Sequence, residues 1–214
     1  PSYRADIKIE ADISEEIIRL IGFDSLKATL PLMEMTQGAL NSRQKMTRTI
    51  RTLLTHTGAY ETETYTLVGQ RQVDDAIMGL SPVVELASPM SEDRKYVRNT
   101  LLPSMLDCLA YNQNRSAKDL ALFEMSNVYG KDQVAQHLGI VMAGSLQKSR
   151  VHKIDIKSNF YTLKGIVESV LATFGFEGTR IKVKENTIDT VHFHPYASAC
   201  VYLGKDLFGI FGAI

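Results

Sequence analysis

The chain has 214 residues, 44% hydrophobic and 22% charged, enough to bury a core as one large or two small domains. Its 24 Lys and Arg balance 24 Asp and Glu, so net charge is zero with neutral histidine, which argues against a module whose main work is gripping nucleic-acid phosphates. Two distant cysteines without a CxxC exclude a disulfide scaffold, and the absence of any bilayer-length apolar run or signal peptide points to a soluble, cytosolic chain with no membrane partner.

A strand-like Tyr3 to Glu10 comes first. Asp12 to Gly22 is then punctuated as a helix. Asp12 is the expected N-cap, and Glu15 three residues on has capping-box spacing. Ile13, Ile17, Leu20 and Ile21 form the expected buried stripe, and Gly22 falls just past the end. Phe23 to Pro31 reads as a connector. Gly38 to Thr57 is the longest helix candidate, with Met46, Ile50, Leu53 and Leu54 inward and Arg43, Lys45, Arg48 and Arg51 outward. That basic face is either solvated or touches RNA. Glu61 to Val68 alternates as a strand, and Gln70 to Met78 reads as a short helix.

The stretch from Leu86 to Tyr129 organises the rest. A short apolar run at Val83, Val84 and Leu86 is broken by the turn formers Ser88 to Asp93. Pro103 can open a helix, where its missing N–H is not needed, and Met105, Leu106 and Leu109 continue it, with Cys108 on the apolar face. Leu120 to Tyr129 alternates as a strand, with Leu122 and Glu124 on one side and Ala121 and Phe123 on the other. A turn at Gly130-Lys131-Asp132 and a returning strand from Gln136 to Ala143 predict an antiparallel hairpin. Ser145 to Asp155 reads as a polar loop and Asn159 to Phe174 as a helix. Arg180 to Lys184, Ala197 to Leu203 (with Cys200) and the residues after Gly204-Lys205-Asp206 read as strands. The fold class is therefore α+β, an antiparallel β-sheet flanked by helices on one face. Both ends read as cut, because Pro1 follows no Met and the last strand pattern runs to Ile214.

Among chemical groups, Asp12, Glu15 and Glu16 share one helical face, which Asp6 reaches if the preceding strand folds back. Two carboxylates about 4 Å apart repel by roughly 4 kcal/mol at an effective dielectric near 20, and a hard cation such as Mg²⁺ or Ca²⁺ would turn that cost into a gain. A capping box with a solvated Glu16 explains the same residues without metal. Arg94 and Arg98 lie in the polar loop beside Glu92 and Asp93, so they serve either a ligand or internal salt bridges. His192 and His194 form an H-x-H pair with metal-ligand potential. Gly-rich phosphate loops, nucleophile elbows and HExxH are absent.

Six pieces in collinear order resemble the beta subunit of bacterial phenylalanyl-tRNA synthetase. They are Pro1-Ser2-Tyr3-Arg4-Ala5-Asp6-Ile7, Ser88 to Arg94, Val97 to Leu106, Leu122 to Tyr129, Phe160 to Glu168 and Phe193 to Ala199. The resemblance implies a class II aminoacyl-tRNA synthetase-like, catalytic-like domain over residues 31–214, truncated at the C-terminus, with residues 1–30 ending the preceding module. It implies magnesium ligands at Asp6, Asp12, Glu15 and Glu16. It also implies an alpha-subunit partner in an α₂β₂ tetramer that uses ATP to charge tRNA(Phe) with phenylalanine. Class II catalysis needs arginines on the sheet to hold the nucleotide phosphates. Leu120 to Tyr129 keeps Phe123-Glu124 but no arginine, and none follows Gly209 and Gly212. The expectation is therefore a degenerate, inactive assembly module. A stand-alone adenylating ligase and an auxiliary tRNA-binding module are the alternatives.

Overall fold

A computed structural model describes residues 2–214. The chain divides into two compact units, the first ending at Ala39 and the second running Leu40–Ile214.

The first unit carries helix α1, Glu10–Ile21. The helix starts ahead of the expected Asp12, and Asp12 is not its N-cap. Its carboxylate instead accepts from the backbone N–H groups of Lys8 (2.7 Å) and Ile9 (2.9 Å), satisfying donors the helix start would leave orphaned. Ile13, Ile17, Leu20 and Ile21, expected to be buried, are all exposed.

In the second unit α2 spans Ser42–His56, starting later than Gly38 because Asn41 and Gln44 cap each other's backbone N–H groups at 2.8 and 2.9 Å. The expected single strand over 61–68 is two short ones, β1 (Tyr60–Glu61) and β2 (Leu67–Val68). Thr62 N–H still bonds the Phe123 carbonyl as the last rung of the β1–β5 ladder, and Thr64 N–H then turns to the Glu124 carboxylate. There follow α3 (Gln70–Asp74), β3 (Val84–Glu85), β4 (Tyr96–Val97) and α4 (Leu102–Gln113), with Pro103 in its first turn.

The long hairpin forms as expected. β5 (Leu120–Gly130) and β6 (Gln133–Ala143) pair antiparallel from Leu120↔Ala143 to Gly130↔Gln133 around a Lys131-Asp132 turn. The expected loop after Ala143 is a second hairpin, β7 (Ser145–Ser149) with β8 (Ile154–Lys157). Its polar composition hid a strand pair that is exposed on most of its length. α5 (Phe160–Thr173) is capped by the Asn159 side chain, and β9 (Ile181–Glu185), β10 (Ser198–Leu203) and β11 (Asp206–Gly212) form an antiparallel sheet.

Among the described residues the strands make four small sheets rather than one, ordered β1-β5-β6, β11-β10-β9, β2-β4-β3 and β7-β8. All pairings are antiparallel except β1 with β5. Helices lie on both faces of β5, not one. Ala121 and Phe123 pack with Ile50 and Leu54 of α2 and with Ile166 and Val170 of α5. Leu122 and Val128 pack on the other side with Leu101, Met105 of α4 and Val141 of β6. A third core joins Leu171 of α5 to Ala199, Val201 and Phe211. Apolar residues at every position from Leu120 to Phe123 fit this doubly covered strand better than a half-buried one.

Candidate functional site

The acidic quartet lies wholly in the first unit. Arg4 stands between two of its members, donating to Asp6 through Nε (3.0 Å) and Nη2 (2.8 Å) and to Glu16 through Nη2 (2.6 Å). Arg19 reaches Glu16 from the next turn. The Arg4 hydrogen bonds hold the carboxyls of both Asp6 and Glu16 below their ordinary range and push the guanidinium pKa up. Asp12 is lowered by the two backbone N–H groups it caps, and Glu15 is exposed. Asp6 and Glu16 thus meet through a guanidinium, while Asp12 is turned to its own backbone. Among the described residues no three Asp, Glu, His or Cys side chains gather closely enough to hold a metal ion. The four residues as arranged do not form a cation cage.

The centre of the second unit is an ion pair. Arg98 follows β4, and its Nη1 donates to Glu124 Oε1 at 2.6 Å in the middle of β5. Both side chains are 5% exposed or less. Arg98 also donates from Nε to the Asn127 carbonyl at 3.0 Å and from Nη1 to the Thr64 carbonyl at 3.2 Å. Glu124 Oε2 accepts from the Thr64 hydroxyl at 2.7 Å. A charge pair taken out of water persists only with such complete partnering. Of the two roles open to Arg98, the structure selects the internal bridge. Arg94 is likewise spent inside, donating to the Leu67 carbonyl at 2.9 Å with its guanidinium 4.1 Å from the Tyr65 ring centre. Among the described residues neither bridges Asp93 or Glu92; Glu92 pairs with Lys95 at 3.7 Å instead.

The H-x-H pair does not converge. His192 Nδ1 sits 2.9 Å from an Asp189 carboxylate oxygen, while His194 Nδ1 accepts from the Tyr196 N–H at 3.2 Å. The acidic neighbour that spacing alone passed over is Asp189, three residues upstream. Along α2 the basic face is partly engaged. Arg51 pairs with Glu61 at 2.7 Å, and Arg43 donates to Gln136 and Asn127 at 3.2 and 3.3 Å.

A cavity of about 410 Å³ lies between β6 and β11, floored by α5. Met125, Leu138, Ile140, Val167 and Phe211 line it, and its described lining includes no Lys, Arg, Asp or Glu. Phosphate recognition needs planar or point cations, and this hollow offers none. The sequence could not show why the strand lacks a free arginine. The guanidinium that reaches Glu124 comes from 26 residues upstream, and its position followed no spacing rule. The one available signal was a glutamate inside an apolar strand, which burial forces to find a cation.

Known proteins resemble this chain closely. The family model described as the phenylalanyl tRNA synthetase beta chain CLM domain matches residues 26–214. Phenylalanine–tRNA ligase beta subunits of Fusobacterium nucleatum and Geobacillus kaustophilus are 35% and 33% identical over the whole chain. The chain spans 27% of the length of each, about a quarter of the curated relatives it matches. Two solved pyrrolysyl-tRNA synthetase structures from Desulfitobacterium hafniense match at TM-scores of 0.54 and 0.55 with 16% and 13% identity. They cover 78% of this chain and 54% and 57% of their own. At that identity the likeness shows the fold alone, a class II-like synthetase fold.

Proposed function

Since the chain belongs to the phenylalanyl-tRNA synthetase beta chain CLM domain family, we propose that it is a non-catalytic assembly module of a phenylalanine–tRNA ligase beta subunit. In this reading it packs on an alpha subunit that carries the active site, within a cytoplasmic α₂β₂ enzyme that uses ATP to charge tRNA(Phe). Residues 1–30 end the preceding module, and 31–214 form the catalytic-like domain.

One observation carries the non-catalytic part. The Arg98 guanidinium beside the central sheet strand is locked to Glu124 inside the core, and the cavity between β6 and β11 is lined without Lys, Arg, Asp or Glu among the described residues. A scaffold without its chemical groups is expected to be inert. Co-expression with a phenylalanyl-tRNA synthetase alpha subunit tests the assembly, and ATP–pyrophosphate exchange by the chain alone tests the chemistry. A stable complex and no exchange are expected; exchange without the alpha subunit would sink the reading.

A magnesium ion at Asp6, Asp12, Glu15 and Glu16 rests on the family resemblance and requires Arg4 to leave Asp6 and Glu16. Mn²⁺ broadening of their NMR signals, stronger in Arg4→Ala, is the expected result. Equal, weak broadening in both proteins would dispose of the site.

A further inference from the structure

β9 gathers cations that no carboxylate neutralises. Arg180, Lys182 and Lys184 recur at every second residue, and Lys205 sits in the β10–β11 turn, where the Gly204 N–H donates to the Arg180 carbonyl at 3.1 Å. All four are exposed. Other surface cations of this unit find carboxylates, as Lys157 does with Asp155 and Lys164 with Glu168, both at 2.8 Å. Among the described residues none of these four does. Register explains why. Paired residues share a face of a sheet, so Lys182, Tyr202 and Leu207 form one row and Lys184, Cys200 and Ile210 the next. Ile181, Val201 and Leu203 pack with Leu171 of α5, so the two lysines stand on the face turned away from that helix. The acidic neighbours Glu185 and Asp206 pair with Ala199 and Leu203 and fall on the α5 side. Lys184 Nζ lies 5.1 Å from the centre of the half-buried Tyr202 ring. Lysine on an end strand also deters edge pairing, but that role requires neither a shared face nor Arg180, Lys205 and an aromatic ring beside it.

We infer that this face of β9 and β10 binds a segment of single-stranded RNA, with phosphates along Arg180, Lys182 and Lys184 and a base stacked on Tyr202. Alternate side chains on a strand stand about 6.6 Å apart, a pitch suited to successive phosphates of an extended chain. An acidic peptide would meet the cations and leave the ring unused. RNA uses both, because every base has a stacking face and Lys184 can leave the ring for a phosphate. Zero net charge over the whole chain makes this a local, salt-sensitive grip. Only the choice of RNA over DNA rests on the proposed function. A chain that joins an alpha subunit yet ignores RNA refutes this face alone, and one that binds RNA but joins no alpha subunit refutes only the assembly.

Fluorescence anisotropy of the chain with a labelled, unstructured RNA of about 12 nucleotides tests it. Three phosphate contacts on a single strand give a log–log salt slope of about −2, so going from about 50 to about 200 mM salt should weaken binding roughly 20-fold. Lys182→Gln with Lys184→Gln should cost about tenfold or more in affinity and flatten that slope. Tyr202→Leu keeps an apolar body in the sheet and should cost roughly fivefold with the slope unchanged. Arg150→Gln with Lys153→Gln, in the β7–β8 turn, should change neither. On the unaltered chain, RNA should shield Lys182 and Lys184 from amine acetylation, a readout independent of how any variant folds. The inference is overturned if RNA does not bind at low salt, if a polyglutamate peptide of equal charge competes as well as RNA, or if the turn variant loses as much as the strand variant. It is equally overturned if Tyr202→Leu binds like the parent, or if Lys182 and Lys184 acetylate alike with and without RNA.

Discussion

Replacing Arg98 by Met isolates what the buried pair contributes. The substitution keeps an apolar stem of similar length and removes the donors that reach Glu124, Thr64 and Asn127. Glu124 then loses its cation in a site where its side chain is 2% exposed, with only the Thr64 hydroxyl and N–H left as partners. Removing one member of a buried pair costs about 3–5 kcal/mol, most of it the uncompensated charge left behind. With a urea dependence of about 2 kcal/mol per molar, the unfolding midpoint should fall by roughly 1.5–2.5 M. Adding Glu124→Gln to Arg98→Met removes the stranded charge while keeping an acceptor for Thr64, and should restore at least half of the loss. Urea unfolding followed by tyrosine fluorescence measures all three proteins. A single-mutant loss below about 1 kcal/mol, or a double mutant worse than Arg98→Met, would refute the account of this centre.

Other expectations follow from the same geometry. Phe123→Ala opens a hole at a fully buried position between α2 and α5 and should cost about 3–5 kcal/mol in the same urea assay. Gly144 has φ +71°, and a Cβ there would lie 2.3 Å from the Lys118 carbonyl oxygen, so Gly144→Ala should lower stability by more than about 2 kcal/mol. In the first unit Asp6, Asp12 and Glu16 titrate below their ordinary values of 3.8 and 4.5, so the folded unit binds fewer protons than the unfolded one in that range. Their stabilisation is complete above those values and is lost as pH falls through the lowered folded ones. Helicity of α1, read by NMR chemical shifts, should decline on acidification below about pH 4, and Arg4→Ala should shift that decline to higher pH. Cys108 is half-buried and Cys200 fully buried, so a thiol reagent should modify Cys108 in the native protein and Cys200 only on unfolding.

Local periodicity located α5, the 120–143 hairpin and the C-terminal strands because each has a strong apolar rhythm and clear punctuation. It failed where tertiary bonds outrank pattern. Thr64 sits in an alternating stretch, yet its N–H and hydroxyl both bond the Glu124 carboxylate and draw the backbone out of a ladder. The Ser145 to Lys157 hairpin has too few apolar residues to show a period, and it is held by a Ser145–Asp155 hydrogen bond and backbone pairing. Ile13 and Ile17 do mark one face of α1, but amphipathicity says which side is apolar and not whether anything covers it. The acidic quartet was visible as spacing, while Arg4's position between Asp6 and Glu16 depended on how the segment before α1 folds back.

Burial on both sides gives β5 a particular difficulty, since with Leu122 and Phe123 both apolar, sliding the strand by one residue would exchange one greasy layer for another at little hydrophobic cost. Glu124 removes that ambiguity. Only one alignment delivers its carboxylate to Arg98 and Thr64, and any other strands a charge among hydrocarbon. The pair thus acts as a locating pin, and its value lies in fixing which residue faces which layer rather than in how tightly the layers hold.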